Sequence, residues 1–130
     1  MQLAIIYDSS TGKTKAAAEQ MGDLARAAGH DCDVASIHDA DPAEVSQADA
    51  ICIGSWTRGL FVILQGPTKA TLEFIDKLGP LGGKPAAVFT TYDLAIGKTL
   101  TRMAARLSAR GANVTGQFKS KGPVVADGFD

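Results

Sequence analysis

The sequence predicts a doubly wound α/β domain built on a five-stranded parallel sheet, and two observations carry that reading. Three short runs, residues 3–7, 50–53 and 86–90, are apolar at nearly every position, as strands covered by helices on both faces must be. Helical stripes alternate with these runs along the chain, and strands separated by helices have to pair in parallel.

Taken in order, residues 3–7 make the first central strand. The stripe Ala17, Met21, Leu24, Ala25 and Ala28 follows, and Gly29 stands where a helix stops. Residues 33–37 mix polar with apolar side chains, which suits an edge strand. A weaker helical piece begins near Pro42. The runs at 50–53 and 86–90 are the third and fourth strands, with the stripe Leu72, Ile75 and Leu78 between them, bracketed by Pro67 and Gly79. Leu100, Met103, Ala104 and Leu107 form the last helix, closed by Arg110 and Gly111, a cation where the helix dipole favours one. Residues 113–118 are the fifth strand and second edge, and the Gly- and Pro-containing residues 119–130 read as an irregular tail. A chain of 130 residues that is 45% hydrophobic suffices for one core, so residues 1–130 are expected to be a single domain. Right-handed crossovers then favour the order 2-1-3-4-5. That order reverses between strands one and three, where a ligand crevice opens at the carboxyl ends.

Composition narrows the function. The formal net charge is -1 and the basic residues are scattered, so neither nucleic acid nor an anionic membrane is an expected partner. No apolar run is long enough to span a bilayer and no basic leader precedes the first strand, which reads as soluble and cytoplasmic. Cys32 and Cys52 are too few and too far apart for a disulfide framework, a zinc site or a CxxC pair. No metal is expected, and Cys52 reads as a small buried side chain.

If the crevice is a site, the segments after the three central strands should carry polar or aromatic residues. After strand one comes Asp8-Ser9-Ser10-Thr11-Gly12-Lys13-Thr14, after strand three Gly54-Ser55-Trp56-Thr57-Arg58-Gly59, and after strand four Thr91-Tyr92-Asp93; these hold the one Trp and one of the two Tyr residues. The first loop is dense in hydroxyls, has a Gly for close backbone approach, and opens into a helix whose free N–H groups and positive end attract anions. That combination suits the phosphate of a mononucleotide. Plain N-capping by Ser10 or Thr11 is the competing explanation, but it leaves the other hydroxyls unexplained. Lys13 opposes the helix dipole, which fits either a nearby anion or a solvated lysine. Gly12-Lys13-Thr14 also raises the phosphate loop of nucleotide hydrolases, but that pattern needs a glycine where Tyr7 stands.

Residues Tyr7-Asp8-Ser9-Ser10-Thr11-Gly12-Lys13-Thr14 resemble the flavodoxin phosphate loop, Tyr-x-Ser-x-Thr-Gly-Asn-Thr, departing from it at Lys13. Gly54-Ser55 with Thr57, and the later Phe74-Ile75-Asp76, are similar to the second flavodoxin loop, Gly-Ser-Pro-Thr, and the helix that follows it. Tyr92 falls where the family often stacks a tyrosine on its flavin. The resemblance spans roughly residues 3–118 and implies a flavodoxin-like three-layer sandwich with FMN as cofactor. It further implies phosphate contacts from Ser9, Ser10, Thr11, Gly12, Lys13 and Thr14, with Ser55, Trp56, Thr57, Arg58, Gly59, Thr90, Thr91, Tyr92 and Asp93 around the isoalloxazine. Trp56 stands where the family has Pro, so its ring either meets the flavin or plugs the loop from beneath.

The implied function is electron transfer through a noncovalent flavin to a redox partner protein or small-molecule acceptor, with no catalytic side chain. An FMN-dependent reductase of quinones or similar acceptors is the alternative, with Arg58 favouring an anionic reduced flavin. A receiver-like signalling domain fits less well, because it needs an aspartate where Gly54-Ser55 stands. The chain departs from the family in being nearly neutral rather than acidic, and in having only residues 119–130 where the family continues into a final helix. With that C-terminal helix absent, the sheet face covered by the first helix alone should expose apolar side chains, which monomers rarely tolerate over a few hundred Å². A homodimer or partner domain, or the tail laid across it, is expected to cover this face. Light scattering after size exclusion, on the full chain and on one ending at Lys119, should show association or a lowered melting temperature; two stable monomers of equal melting temperature would refute it.

Overall fold

The computed structural model describes residues 1–9, 12–56, 58–60, 63–66, 68–91 and 99–120. Its strands are β1 (Gln2–Asp8), β2 (Asp31–Ser36), β3 (Ala50–Trp56), β4 (Arg58–Leu60), β5 (Ile63–Gly66), β6 (Pro85–Thr91) and β7 (Asn113–Ser120). The helices are α1 (Lys13–Ala27), α2 (Pro42–Val45), α3 (Lys69–Asp76) and α4 (Thr99–Ala109). The main sheet has five strands in the order β2-β1-β3-β6-β7, every pair parallel. This is the expected 2-1-3-4-5 arrangement, with the reversal between β1 and β3.

Side-chain parity along the central strands sorts the core into two layers. Ala4, Ile6, Ile51, Ile53, Ala86 and Val88 face one side, where they pack with Val45 of α2, Phe74 and Ile75 of α3, and Leu100, Met103 and Leu107 of α4. Ile5, Cys52 and Phe89 face the other, against Ala17, Ala18, Met21 and Ala25 of α1. Among the described residues α1 is the only helix on that second face. Leu3, Val34, Ala87 and Phe118 remain partly exposed around it, and a groove of about 240 Å³ runs over Leu3, Ile5, Cys52 and Ala87. Partly exposed apolar side chains therefore line the face beside α1, whereas the tail's residues 121–130, and the expected absence of a final helix, lie outside the described residues.

Burial pushes the Cys52 thiol well above the ordinary thiol range, with a smaller push from Cys32. Cys32 is raised by burial as well, opposed by the Arg26 guanidinium. Both are unpaired and act as core side chains.

Two features differ from the sequence reading. The last strand runs on to Ser120, because Lys119 and Ser120 pair with Thr90 and Thr91, so the tail begins later than residue 119. An antiparallel pair, β4 with β5, follows β3. Residues 60–64 are apolar throughout, and a continuous run shows no alternation from which such pairing could be read.

Close packing fixes β3 against β6. Gly54 pairs with Phe89, and a Cβ at Gly54 would lie 2.0 Å from the Phe89 ring. That ring is fully buried and cannot swing aside. Gly54→Ala should therefore cost about 1–3 kcal/mol through overpacking, read as a lower urea midpoint at unchanged m-value. An unchanged midpoint would contradict this packing.

Candidate functional site

The strand register brings the ends of β1, β3 and β6 into line. Asp8 pairs with Ser55 and Ser55 with Thr90, forming one row, while Trp56 and Thr91 pair in the next. Side chains alternate across a sheet, so the first row continues the parity of Ile6, Ile53 and Val88 and faces α3. The second row continues the parity of Phe89 and faces α1.

The row facing α3 is a buried hydrogen-bond network. Thr68, the N-cap of α3, accepts from Thr71 N at 3.2 Å and so closes the first turn of the helix. Its hydroxyl donates to Asp8 Oδ2 at 2.5 Å. A hydroxyl has a single proton, so in the 2.6 Å contact with Thr71 Oγ1 Thr68 must accept. Thr68 N donates to Ser55 Oγ at 3.1 Å, Ser55 Oγ donates to the Trp56 carbonyl at 2.9 Å, and Thr90 Oγ1 donates to the Ser55 carbonyl at 2.7 Å. Proton bookkeeping thus gives the chain one direction, Thr71 to Thr68 to Asp8. The other Asp8 oxygen lies 3.8 Å from Nε2 of the exposed His38. Asp8 and Thr68 were absent from the candidate residues; only the long-range pairing of β1 with the α3 N-cap brings them to the crevice.

The row facing α1 meets the start of that helix. Gly12 is its N-cap at φ 93°, a left-handed conformation that suits glycine. Gly12 itself supplies no side-chain cap, and the first turn holds no acidic residue. Gly12 N donates to Ser9 Oγ at 3.0 Å, and a Cβ at Gly12 would meet nothing within 4 Å. A helix start with a glycine cap and a positive dipole end suits an anion. Thr14, fully buried in the first turn, bonds Thr91 Oγ1 at 2.6 Å. These residues fit the phosphate of FMN.

The structure therefore brings Ser9, Gly12, Lys13, Thr14, Ser55, Trp56, Thr90 and Thr91 to the carboxyl end of the sheet, with Trp56 half-buried. Arg58 and Gly59 lie in β4. Ser10, Thr11, Thr57, Tyr92 and Asp93 lie outside the described residues. Ser55 and Thr90 spend their hydroxyl protons on carbonyls within the network, so their side chains brace the strand ends.

The Thr68 hydroxyl both caps α3 and satisfies a buried carboxylate. Thr68→Val removes both functions and should destabilise the fold by about 2–4 kcal/mol, whereas Thr68→Ser keeps the hydroxyl and should stay within about 1 kcal/mol of the parent. Chemical denaturation of both variants is the check; equal losses would dismiss the hydroxyl's role.

Comparison with known proteins completes the picture. The family model described as Flavodoxin matches residues 5–128. The solution structure of the two-electron reduced flavodoxin of Megasphaera elsdenii superposes with a TM-score of 0.81 at 27% identity, covering 93% of this chain and 88% of that one. A flavodoxin from the domain Archaea gives a TM-score of 0.77 at 26% identity, over 93% of this chain and 85% of that one. The rubredoxin:oxygen oxidoreductase of Desulfovibrio gigas shares the fold, with a TM-score of 0.77 at 21% identity, over 97% of this chain and 32% of that larger one. No curated protein matches. With most of its length matched by the family model, the chain belongs to the flavodoxin family of FMN-binding electron-transfer proteins.

Proposed function

We propose that this chain is a one-electron carrier that holds a single FMN noncovalently at the carboxyl end of its sheet and passes electrons from a donor to a redox partner protein. The observation that supports it most is the start of α1, where Gly12 caps the helix in a left-handed conformation and a Cβ there would meet nothing within 4 Å. The flavin supplies the redox chemistry, and the protein supplies binding, orientation and electrostatics. Backbone N–H groups of the first turn, the Ser9 and Thr14 hydroxyls and the Lys13 charge hold the phosphate. Trp56 at the end of β3 bounds the ring site, with Arg58 of β4, Tyr92 and Asp93 contributing to it.

Asp8 faces α3, across the sheet from the α1 start, so its carboxylate is turned away from the anion seat. The carrier reading needs no acid or base at the flavin, and the polar network supplies rigidity instead. We place the protein in the cytoplasm, where a reducing environment suits the two unpaired cysteines; no helix among the described residues is long and apolar enough to cross a membrane. A second copy or a partner domain on the partly exposed face beside α1 completes the proposed assembly.

Two measurements test this reading. Titration of the flavin-free chain should show FMN binding on the order of a hundredfold or more tighter than riboflavin, because several charge-assisted hydrogen bonds are lost with the phosphate. Equal affinities would remove the phosphate assignment. Reductive titration of the FMN-loaded chain should resolve two separate one-electron steps, and a single concerted two-electron step would favour a reductase instead.

A further inference from the structure

The hydrogen bond between Thr14 and Thr91 joins residues 77 positions apart, the first turn of α1 and the last residue of β6. Thr14 is fully buried and Thr91 is 2% exposed, so water does not serve them. Each hydroxyl carries one proton and two lone pairs. Their mutual bond consumes one of the two protons, and no other side-chain partner of either hydroxyl occurs among the described residues. Among the described residues, one hydroxyl proton of the pair has no acceptor, and it lies at the start of α1.

We infer that Thr91 is a positioning residue for the FMN phosphate: it donates to Thr14 and thereby directs the Thr14 proton to the anion. This rests on the phosphate reading proposed above. Thr14 lies in the first helical turn, beside the backbone donors, and Thr91 stands behind it on the strand. An anion before the helix takes the proton of the nearer hydroxyl, so the pair has one favoured direction, Thr91 to Thr14 to phosphate, and each bond polarises the next. Without the Thr91 hydroxyl, Thr14 loses the bond that fixes its rotamer, and a threonine in a helix divides between two. The phosphate then loses a donor although no residue that touches it has changed.

The test compares FMN with riboflavin, read by quenching of flavin fluorescence on titration with the flavin-free full chain. Thr91→Val, of nearly the same shape, should lower the ratio of FMN to riboflavin affinity about tenfold. Thr91→Ser should restore the parental ratio of the two affinities. Retained riboflavin binding shows that the variant is folded; should valine abolish binding of both flavins, Thr91→Ala takes its place under the same criterion. A folded valine or alanine variant with the parental ratio would overturn the role of Thr91. A parent chain that binds both flavins equally would overturn the phosphate reading itself, and this inference with it.

Discussion

The pairing of β1 with β2 on one side and β3 on the other is the constraint on which the remaining structure depends. Because every crossover is right-handed, the chain leaving β1 must start its helix on one face of the sheet, and the chain leaving β3 must start its helix on the other. The two helix N-termini therefore rise on either side of one seam. Each is tied to a strand end other than the one it follows: α1 through Thr14 to β6, and α3 through Thr68 to β1. The site is thus cross-braced, and its rigidity comes from hydroxyls that are buried on both faces.

How far the sequence discloses this varies with the range of the interaction. The three central strands are legible in residues 3–7, 50–53 and 86–90 because burial on both faces leaves almost no polar position. Gly29 and Gly111 mark helix ends correctly because both sit at positive φ, 95° and 90°, where other residues are strained. The α1 loop is legible for the same local reason: glycine, hydroxyls and a helix start follow one another within a few residues. What depends on tertiary contact is hidden. Asp8 reads as one more polar loop residue until Thr68, 60 positions away, meets it. The bonds of the Ser55 and Thr90 hydroxyls to carbonyls at the strand ends are hidden in the same way. The β4–β5 pair is unreadable because its apolar run lacks the alternation of a half-exposed hairpin.

Charge shows the same limit of composition. A net charge of -1 suggests an even surface, but the acidic residues are segregated. Asp31, Asp33, Asp39, Asp41, Glu44 and Asp49 are all exposed along β2 and around α2, with no Lys or Arg between residues 31 and 49. Asp41 is partly spent on capping α2, and Asp33 and Asp49 accept from Gln2. The cations lie outside that stretch and are spread along the chain, among them Arg106, which pairs with Asp76, and Arg110, which holds the Leu78 carbonyl. An even total here hides one acidic edge.

Gly54 shows what such a signature records. In the second loop it looks like a residue kept small so that a ligand can approach, but the object pressed against it is the Phe89 ring, on the core side of the strand. The glycine is thus a lodging for an aromatic ring that happens to sit next to a binding loop. A relative that replaced both residues together, a larger side chain at one and a smaller at the other, would lose the signature and keep the site. Kinship in this fold can therefore outlast the letters by which it is usually noticed.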